Sequence, residues 1–170
     1  VASGPNTANP HAVPSDRVIE KGDFVLMDYG AGYCDYRSDM TRTVVMGEPT
    51  QEQLDLYALV RRTHEECVAA IHPGVEGNDI FKLSKKIIGD AGYGDYYNHG
   101  LGHGVGIDIH ELPNFNRSKN IIEVGSVITM EPGVYLPGVG GVRLEDYGVV
   151  TENGYEPFTK TPHDLHVIDC

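Results

Sequence analysis

Two short apolar runs stand out near the start of the chain, at residues 24–29 (FVLMDY) and 40–46 (MTRTVVM). Runs of this length that are rich in β-branched and aromatic residues predict strands, and the glycines at 30 and 32 favour a bend between them. The pattern therefore predicts a β-hairpin centred near residues 33 and 34. Residues 1–17 are rich in Pro, Gly, Asn and Ser, which indicates a loop with at most a short strand at its start.

Beyond the hairpin, the spacing of hydrophobic positions becomes helical. Apolar residues recur at three- and four-residue steps at Tyr57, Val60, His64, Cys67 and Ile71. This periodicity predicts an amphipathic helix over residues 50–71. Thr50 with Gln53 fits a capping box at its start, and Pro73-Gly74 is expected to end it. On this apolar stripe we interpret His64 as a structural residue rather than a ligand.

A second helix is predicted to follow, with Asn78 as its cap and Gly92 as its stop. Its apolar face comprises Ile80, Leu83, Ile87 and Ala91. From residue 96 onward, glycines and β-branched residues dominate, which indicates strands and turns. Helices on one side of an antiparallel sheet make an α+β fold. The layout is lopsided, because a helical pair precedes the second β region whereas none precedes the first.

Composition excludes several classes of protein. The 170 residues carry a net charge of −12 with scattered Lys and Arg, so we expect no nucleic-acid partner. No apolar run is long enough for a membrane span, and no targeting leader is visible. Cys34, Cys67 and Cys170 form neither a metal-type spacing nor a disulfide framework, which favours a reduced, cytoplasmic setting. Because the chain starts at Val1, we interpret it as a piece of a longer protein.

The predicted hairpin brings two acids together. Asp28 ends its first apolar run and Asp39 precedes its second, so they are expected to lie opposite, or nearly opposite, on one face. Two ionised carboxylates held that close repel each other unless a cation or a proton lies between them. The alternative interpretation is two exposed acids at strand ends.

The stretch HGLGHGVGIDIHE at 99–111 places three histidines among closely spaced glycines. Each interior glycine costs a helix about 1 kcal/mol, so an extended strand is expected instead. His99 and His103 then share one face, and the glycine face lets another backbone or a ligand approach. His110 lies an odd number of residues from His103, so in a regular strand its side chain would face the opposite side. If it serves the same centre, a bend must lie between residues 104 and 109.

Two further acids, Glu131 and Glu145, lie at the end of an apolar run or within one. Each alone is compatible with an edge strand that faces water. Together with the earlier acids and one histidine they form a set of five candidate ligands on predicted strands: Asp28, Asp39, His103, Glu131 and Glu145. Four carboxylates and one imidazole suit two divalent cations of the Mn²⁺, Co²⁺, Fe²⁺ or Zn²⁺ type. Two such ions about 3.5–4 Å apart can hold a bridging hydroxide as a nucleophile.

The sequence resembles the pita-bread metallopeptidases (family M24), in the proline-directed branch that contains Xaa-Pro dipeptidase and aminopeptidase P. The matching motifs, in the family's order, are SGPNTANPH, VLMDYG, SDMTRT, HGLGHGVGIDIHELP, MEPGVY and GVRLED. The resemblance implies a metal-dependent hydrolase, with two Mn²⁺ ions as the first expectation. It implies that Asp39 and Glu145 bridge the ions, that Asp28 holds one ion, and that His103 with Glu131 holds the other.

The resemblance also implies roles toward substrate. Glu131 is expected to serve as the general base, while His99 and His110 steady the substrate and the tetrahedral intermediate. His11 and Arg143 are expected to line the proline side of the pocket, where a cation can grip a free carboxylate. The implied substrates are dipeptides or longer peptides with proline in the second position. The residues do not decide between the dipeptidase and aminopeptidase P.

The sequence departs from the family pattern in two ways. It lacks the helical hairpin with which the family's catalytic domain opens, and it lacks the domain that usually precedes it. We therefore expect residues 1–170 to be an incomplete C-terminal catalytic domain. A homodimer is expected at full length, with a companion chain as another source of the missing segment. The alternatives are a methionine aminopeptidase-like enzyme, a metal-free creatinase-like hydrolase, and a non-catalytic binding module. Retention of all five ligands argues against the metal-free alternatives.

Overall fold

In the computed structural model, which describes residues 1–169, the regular elements are thirteen short strands, one pair of α-helices and two 3-10 turns. The α-helices are α1 (Gln51–Ala69) and α2 (Gly77–Asp90), and 3-10 turns span Gly4–Ala8 and Gly94–Tyr96. The strands are β1 (Ala2–Ser3), β2 (Phe24–Tyr29), β3 (Gly32–Tyr33), β4 (Tyr36–Arg37), β5 (Met40–Met46), β6 (Gly102–Gly104), β7 (Glu111–Phe115), β8 (Val127–Met130), β9 (Gly133–Leu136), β10 (Gly140–Arg143), β11 (Asp146–Thr151), β12 (Gly154–Pro157) and β13 (His166–Ile168). Cys170 lies outside the described residues.

The predicted hairpin is confirmed, with β2 and β5 paired antiparallel over the two apolar runs. The chain reverses at Cys34 and Asp35, within one residue of the predicted centre, and these two residues have φ values of 48° and 68°. Gly30 is not part of this reversal, and its lack of a side chain instead lets the backbone of Ser38 lie close to it. A Cβ at Gly30 would lie 1.9 Å from the carbonyl oxygen of Ser38.

Two sheets make up most of the structure. The strand order in one is β1-β2-β5-β13, in which only β13 runs parallel to its neighbour, and the order in the other is β12-β11-β8-β6-β7. Short ladders pair β3 with β4 and β9 with β10. An antiparallel bridge between Thr41 and Glu145 links the first sheet to the segment between β10 and β11. The predicted α+β class is therefore confirmed, and the bridge brings the two β regions together.

The first helix follows its prediction closely. The Thr50–Gln53 capping box is formed, and the predicted stripe is buried, including His64 at 2% exposure. The helix ends at Ala69, two residues before the predicted end, because the backbone N–H of Ala70 turns back to the Cys67 carbonyl. None of the described helices has the length and apolar character needed to span a membrane.

The predicted cap of the second helix was wrong. The N-cap position is Glu76, and the side chain of Asn78 instead donates to the carbonyl of Asn116 at 2.9 Å. The backbone N–H of Gly77 donates to Asn120, so the helix starts directly from a bridge to the neighbouring loop. Gly92, with φ at 87°, follows the helix as predicted.

Candidate metal centre

The β2–β5 ladder positions the two aspartates. Asp28 pairs with Thr41 of β5. Asp39 comes two residues before Thr41, immediately ahead of β5, and so lies on the same face as Asp28 and diagonal to it. Asp39 is 9% exposed, whereas the side chain of Asp28 is 45% exposed. Burial, reinforced by the charge of Asp28, raises the pKa of Asp39 to about 6. The pair therefore has the mutual repulsion that the sequence predicts, in a diagonal rather than a direct arrangement.

His103 lies on β6, a central strand of the five-stranded sheet. Its Nε2 lies 3.7 Å from Asp39 Oδ2 and 3.4 Å from Glu131 Oε1. Its Nδ1 lies 3.0 Å from the carbonyl oxygen of Gly104, to which an Nδ1–H would donate. That tautomer leaves the Nε2 lone pair facing the carboxylates, which is the usual arrangement of a metal-binding histidine.

The two glutamates are held at strand ends. Glu131 directly follows β8, and Glu145 lies between β10 and β11, where it accepts a hydrogen bond from Thr41 Oγ1 at 2.7 Å. Glu145 is 2% exposed, so the interpretation of a water-facing strand was wrong for this residue. Burial and nearby carboxylates raise the pKa of Glu131 to about 8 and that of Glu145 well above its ordinary value.

These residues fit a divalent cation. Ligand atoms of Asp39, His103 and Glu145 all lie within 4.8 Å of one another, and all three residues are buried. Buried carboxylates that repel one another favour a proton or a metal ion between them. The donor set, rich in oxygen with one imidazole, is the type that Mn²⁺ and related ions accept.

Arg143 is the main cation beside this cluster. Its guanidinium is buried and donates to Asp28 Oδ2 at 2.5 Å and to the Tyr135 hydroxyl and Thr41 Oγ1 at 3.0 Å each. It therefore orients Asp28 and is not a free cation in the cavity. Sequence reasoning missed Thr41 and Tyr135, although strand alternation from Asp39 places Thr41 on the ligand face.

The three histidines of the glycine-rich stretch surround one cavity of about 650 Å³. The rings of His103 and His110 pack edge to face with centroids 4.2 Å apart. Residues 106–110 form a bend, within which the Gly106 N–H donates to the Asp108 carbonyl, so the predicted bend that returns His110 to this centre is confirmed. The predicted long strand was wrong, because only Gly102–Gly104 is paired as a strand there.

His99 and His11 also line this cavity, in different settings. His99 Nδ1 lies 2.6 Å from the Gly100 carbonyl oxygen and Nε2 lies 2.9 Å from the Tyr135 hydroxyl, so both ring nitrogens have protein partners. Burial lowers the pKa of His99 to about 4, which keeps the imidazole neutral. His11 is exposed.

The glycine face of β6 packs against other strands. A Cβ at Gly102 would lie 2.2 Å from the Thr129 carbonyl oxygen, and one at Gly104 would lie 2.4 Å from the Leu112 carbonyl oxygen. Of the two occupants expected for this face, a backbone or a ligand, the structure therefore places backbone there. The close approach sets the position of His103.

We expect Gly102→Ala to displace β6 from β8, because neither backbone can yield without breaking ladder hydrogen bonds. The variant should lose about 1–3 kcal/mol of unfolding free energy, as is typical of overpacking. It should also bind metal more weakly at the candidate centre, because β6 carries His103. Gly106→Ala is the matched control, since the nearest atoms to its Cβ would be those of the Glu111 carboxylate, at the end of a flexible side chain. Urea unfolding and metal titration of both variants test this, and equal behaviour of the two would contradict it.

Comparison with known proteins gives a consistent set of relatives. Residues 1–152 match the model of the family described as metallopeptidase family M24. The chain is 45% identical over 166 residues to a Xaa-Pro dipeptidase of Pyrococcus furiosus, which covers 97% of this chain and 48% of that protein. The chain thus spans about half the length of the curated relatives it matches.

Solved structures agree with the sequence relatives. A Xaa-Pro dipeptidase from Bacillus anthracis has a TM-score of 0.95 and 43% identity, covering 98% of this chain and 47% of that chain. An X-Pro aminopeptidase from Thermotoga maritima has a TM-score of 0.95 and 36% identity, covering 98% and 48%. The predicted pita-bread fold and the predicted family resemblance are therefore confirmed.

Proposed function

Because the chain belongs to metallopeptidase family M24, we propose that the protein carrying it hydrolyses the peptide bond that precedes proline. The observation that carries the proposal is the buried cluster of Asp39, His103 and Glu145 beside Glu131, in a cavity large enough for a small peptide. Relatives named as a Xaa-Pro dipeptidase and as an X-Pro aminopeptidase support the choice of substrate class.

The proposed ion-binding residues are those that the sequence singles out: Asp28, Asp39, His103, Glu131 and Glu145. Two divalent ions, Mn²⁺ in the first place, would supply an activated water and polarise a carbonyl when bound. Without them, the repulsion among these carboxylates is relieved by protons, as the raised pKa values of Asp39 and Glu131 indicate. Ion binding is then coupled to proton release.

The side chains around the cluster can orient a peptide and move its protons. Glu131 opens to the cavity with 18% of its side chain exposed and is the proposed general base. His110, whose ring rests on that of His103, is the proposed contact to the reacting carbonyl. His99 contacts the Tyr135 hydroxyl through its Nε2, and we propose that it positions this hydroxyl, which also accepts a hydrogen bond from Arg143. His11, at the cavity edge, is the proposed contact on the proline side.

Three further features belong to the proposal. We expect a homodimer for the full-length protein, and we keep the reduced, cytoplasmic setting that the cysteine pattern predicts. Residues 1–170 are proposed to supply the metal-binding part of the catalytic domain. Arg143 is not available to grip a free substrate carboxylate while it donates to Asp28, so we expect its contribution to be mainly to orient that acid.

The decisive experiment assays the purified full-length protein that carries this chain, with Mn²⁺, against Ala-Pro and against a longer peptide that begins Ala-Pro. We expect turnover of at least one, and loss of turnover when a chelator removes the ion. Cleavage of the dipeptide alone would assign a dipeptidase, and cleavage of the longer peptide an aminopeptidase. Absence of metal-dependent turnover of both would refute the proposed function.

A further inference from the structure

A second cluster of side chains of the type that bind metals comprises His64, Asp146 and His163. It adjoins the first cluster in sequence, through Glu145 and Asp146, but its side chains contact a different set of residues. Glu145 contacts Thr41, whereas Asp146, one residue later, contacts His163 and lies beside His64 of α1. Successive residues of an extended strand point to opposite faces, which separates the two clusters. We propose that His64, Asp146 and His163 form a second metal site, distinct from the peptidase centre and selective for Zn²⁺ over Mn²⁺.

The distances in this cluster suit one ion. His64 Nε2 lies 3.5 Å and His163 Nε2 lies 2.6 Å from the same oxygen, Asp146 Oδ2, and the ligand atoms all lie within 4.8 Å of one another. A tetrahedral ion with bonds of about 2.0–2.2 Å holds its ligand atoms roughly 3.3–3.6 Å apart. His64 already has that separation from Asp146. His163 needs to withdraw by about 1 Å, and its side chain is 29% exposed, which leaves it room to do so.

His64 supplies the independent sign of a ligand. It is 2% exposed, and within residues 1–169 neither of its ring nitrogens has a hydrogen-bond partner. A buried polar group without a partner is destabilising, so such groups are rare in folded proteins. Because the Nε2 of His64 already faces Asp146 Oδ2, an ion between them would give that nitrogen, one of the two, a partner.

The surroundings hold this site in place. Arg42 donates to the other oxygen of Asp146, Oδ1, at 2.6 Å, which leaves Oδ2 to the histidines. Arg42 also donates to the Thr161 carbonyl, and the Tyr57 hydroxyl donates to the His163 carbonyl at 3.2 Å. The segment that carries His163 is therefore fixed against the rest of the fold by contacts that do not use its imidazole.

The donor sets of the two clusters predict different ion preferences. The second offers two imidazoles and one carboxylate, whereas the first is dominated by carboxylates. Imidazole suits Zn²⁺ and neighbouring late transition metals, and carboxylate suits Mn²⁺. No reacting group of the proposed peptidase lies among the second set, so we infer that the role of this ion is to tie α1 to β11 and to the His163 segment.

The test counts Zn²⁺ ions per chain by equilibrium dialysis and elemental analysis, in an Asp39→Asn/His103→Gln background that cripples the first centre. We expect His163→Gln to lower the count by about one ion per chain, and His64→Gln to do the same. His166→Gln, an exposed histidine three residues beyond His163, is the matched control and should leave the count unchanged. His163 is half-buried and outside regular secondary structure, so its variant is expected to fold even if His64→Gln does not.

An unchanged Zn²⁺ count in folded His163→Gln would overturn the second site and leave the cluster as a hydrogen-bonded brace. Replacement of Zn²⁺ by Mn²⁺ at equal concentration, with no difference in binding, would overturn its selectivity. Neither readout uses peptidase turnover. A failure of the proposed function would therefore appear in the Ala-Pro assay alone and would not affect this result.

Discussion

Replacing Glu145 by glutamine is expected to weaken metal binding at the first centre by more than about 100-fold while making the metal-free protein more stable. Substitutions outside the direct ligands of metal sites already cost about 10–100-fold in affinity, so loss of a ligand should exceed this. Glu145 is 2% exposed and lies among other acids, with its pKa raised by burial. Its charge is thus useful only when a cation is present.

The stability gain is expected because glutamine keeps the packing of Glu145 and removes only its ionisable group. It matches glutamate in shape, and its amide oxygen can still accept the hydrogen bond that Thr41 Oγ1 donates. What disappears is a carboxyl whose charged form is disfavoured by burial, Glu131 and Asp39, so that the metal-free chain must bind a proton there to fold. Functional residues are commonly destabilising in this way, and their replacement often raises stability at the expense of activity.

Isothermal titration with Mn²⁺ and thermal unfolding in chelator together measure both effects. Glu156→Gln, which changes an exposed carboxylate on β12, is the control and should alter neither. If Glu145→Gln kept the wild-type affinity for Mn²⁺, the residue would not be a ligand. If it lowered the melting temperature in chelator, the carboxylate would be a stabilising part of the metal-free fold instead.

The local parts of the fold could be predicted from sequence, because each rests on a short-range rule. The bounds of β2 and β5 follow from two apolar runs, and the start of α1 follows from the Thr50–Gln53 capping box. The position of the hairpin turn could be predicted to within one residue, but its backbone conformation could not, since Cys34 and Asp35 adopt the left-handed conformation that glycine usually takes. Local spacing predicts Asn78 as a cap, but it cannot reveal a partner as distant in sequence as Asn116, to which the Asn78 side chain donates.

The candidate site shows the same division. Residue type and strand position were enough to single out Asp39, His103 and Glu145, which the fold brings together. The engagement of Arg143 by Asp28 was not predictable, because those residues meet only when β10 packs beside β2. The interpretation of His64 as structural rested on a helical stripe, which cannot reveal that two other ligand-type residues converge on the same point.

Replacing Glu131 by glutamine is expected to lower kcat by about 10²–10⁴-fold, the usual contribution of a general base. In the metal-free site burial raises the pKa of Glu131 to about 8, and a bound cation would favour the ionised form that accepts a proton. Glutamine has nearly the same shape and keeps an oxygen 3.4 Å from His103 in the glutamate's place, but it cannot carry the proton.

Two measurements on Glu131→Gln separate its proposed roles. Turnover of the preferred Xaa-Pro substrate gives kcat, and elemental analysis gives the ion content of the same sample. Loss of turnover with ions retained identifies a proton-transfer role, and parallel loss of both identifies a ligand role. Glu123→Gln, an exposed glutamate in the turn before β8, should match the wild type in both. A kcat for Glu131→Gln within a few-fold of wild type would refute its role as the general base. Among the described acids, Glu131 is the one proposed for this role because it lies nearest to His103 Nε2, at 3.4 Å, with part of its side chain open to the cavity.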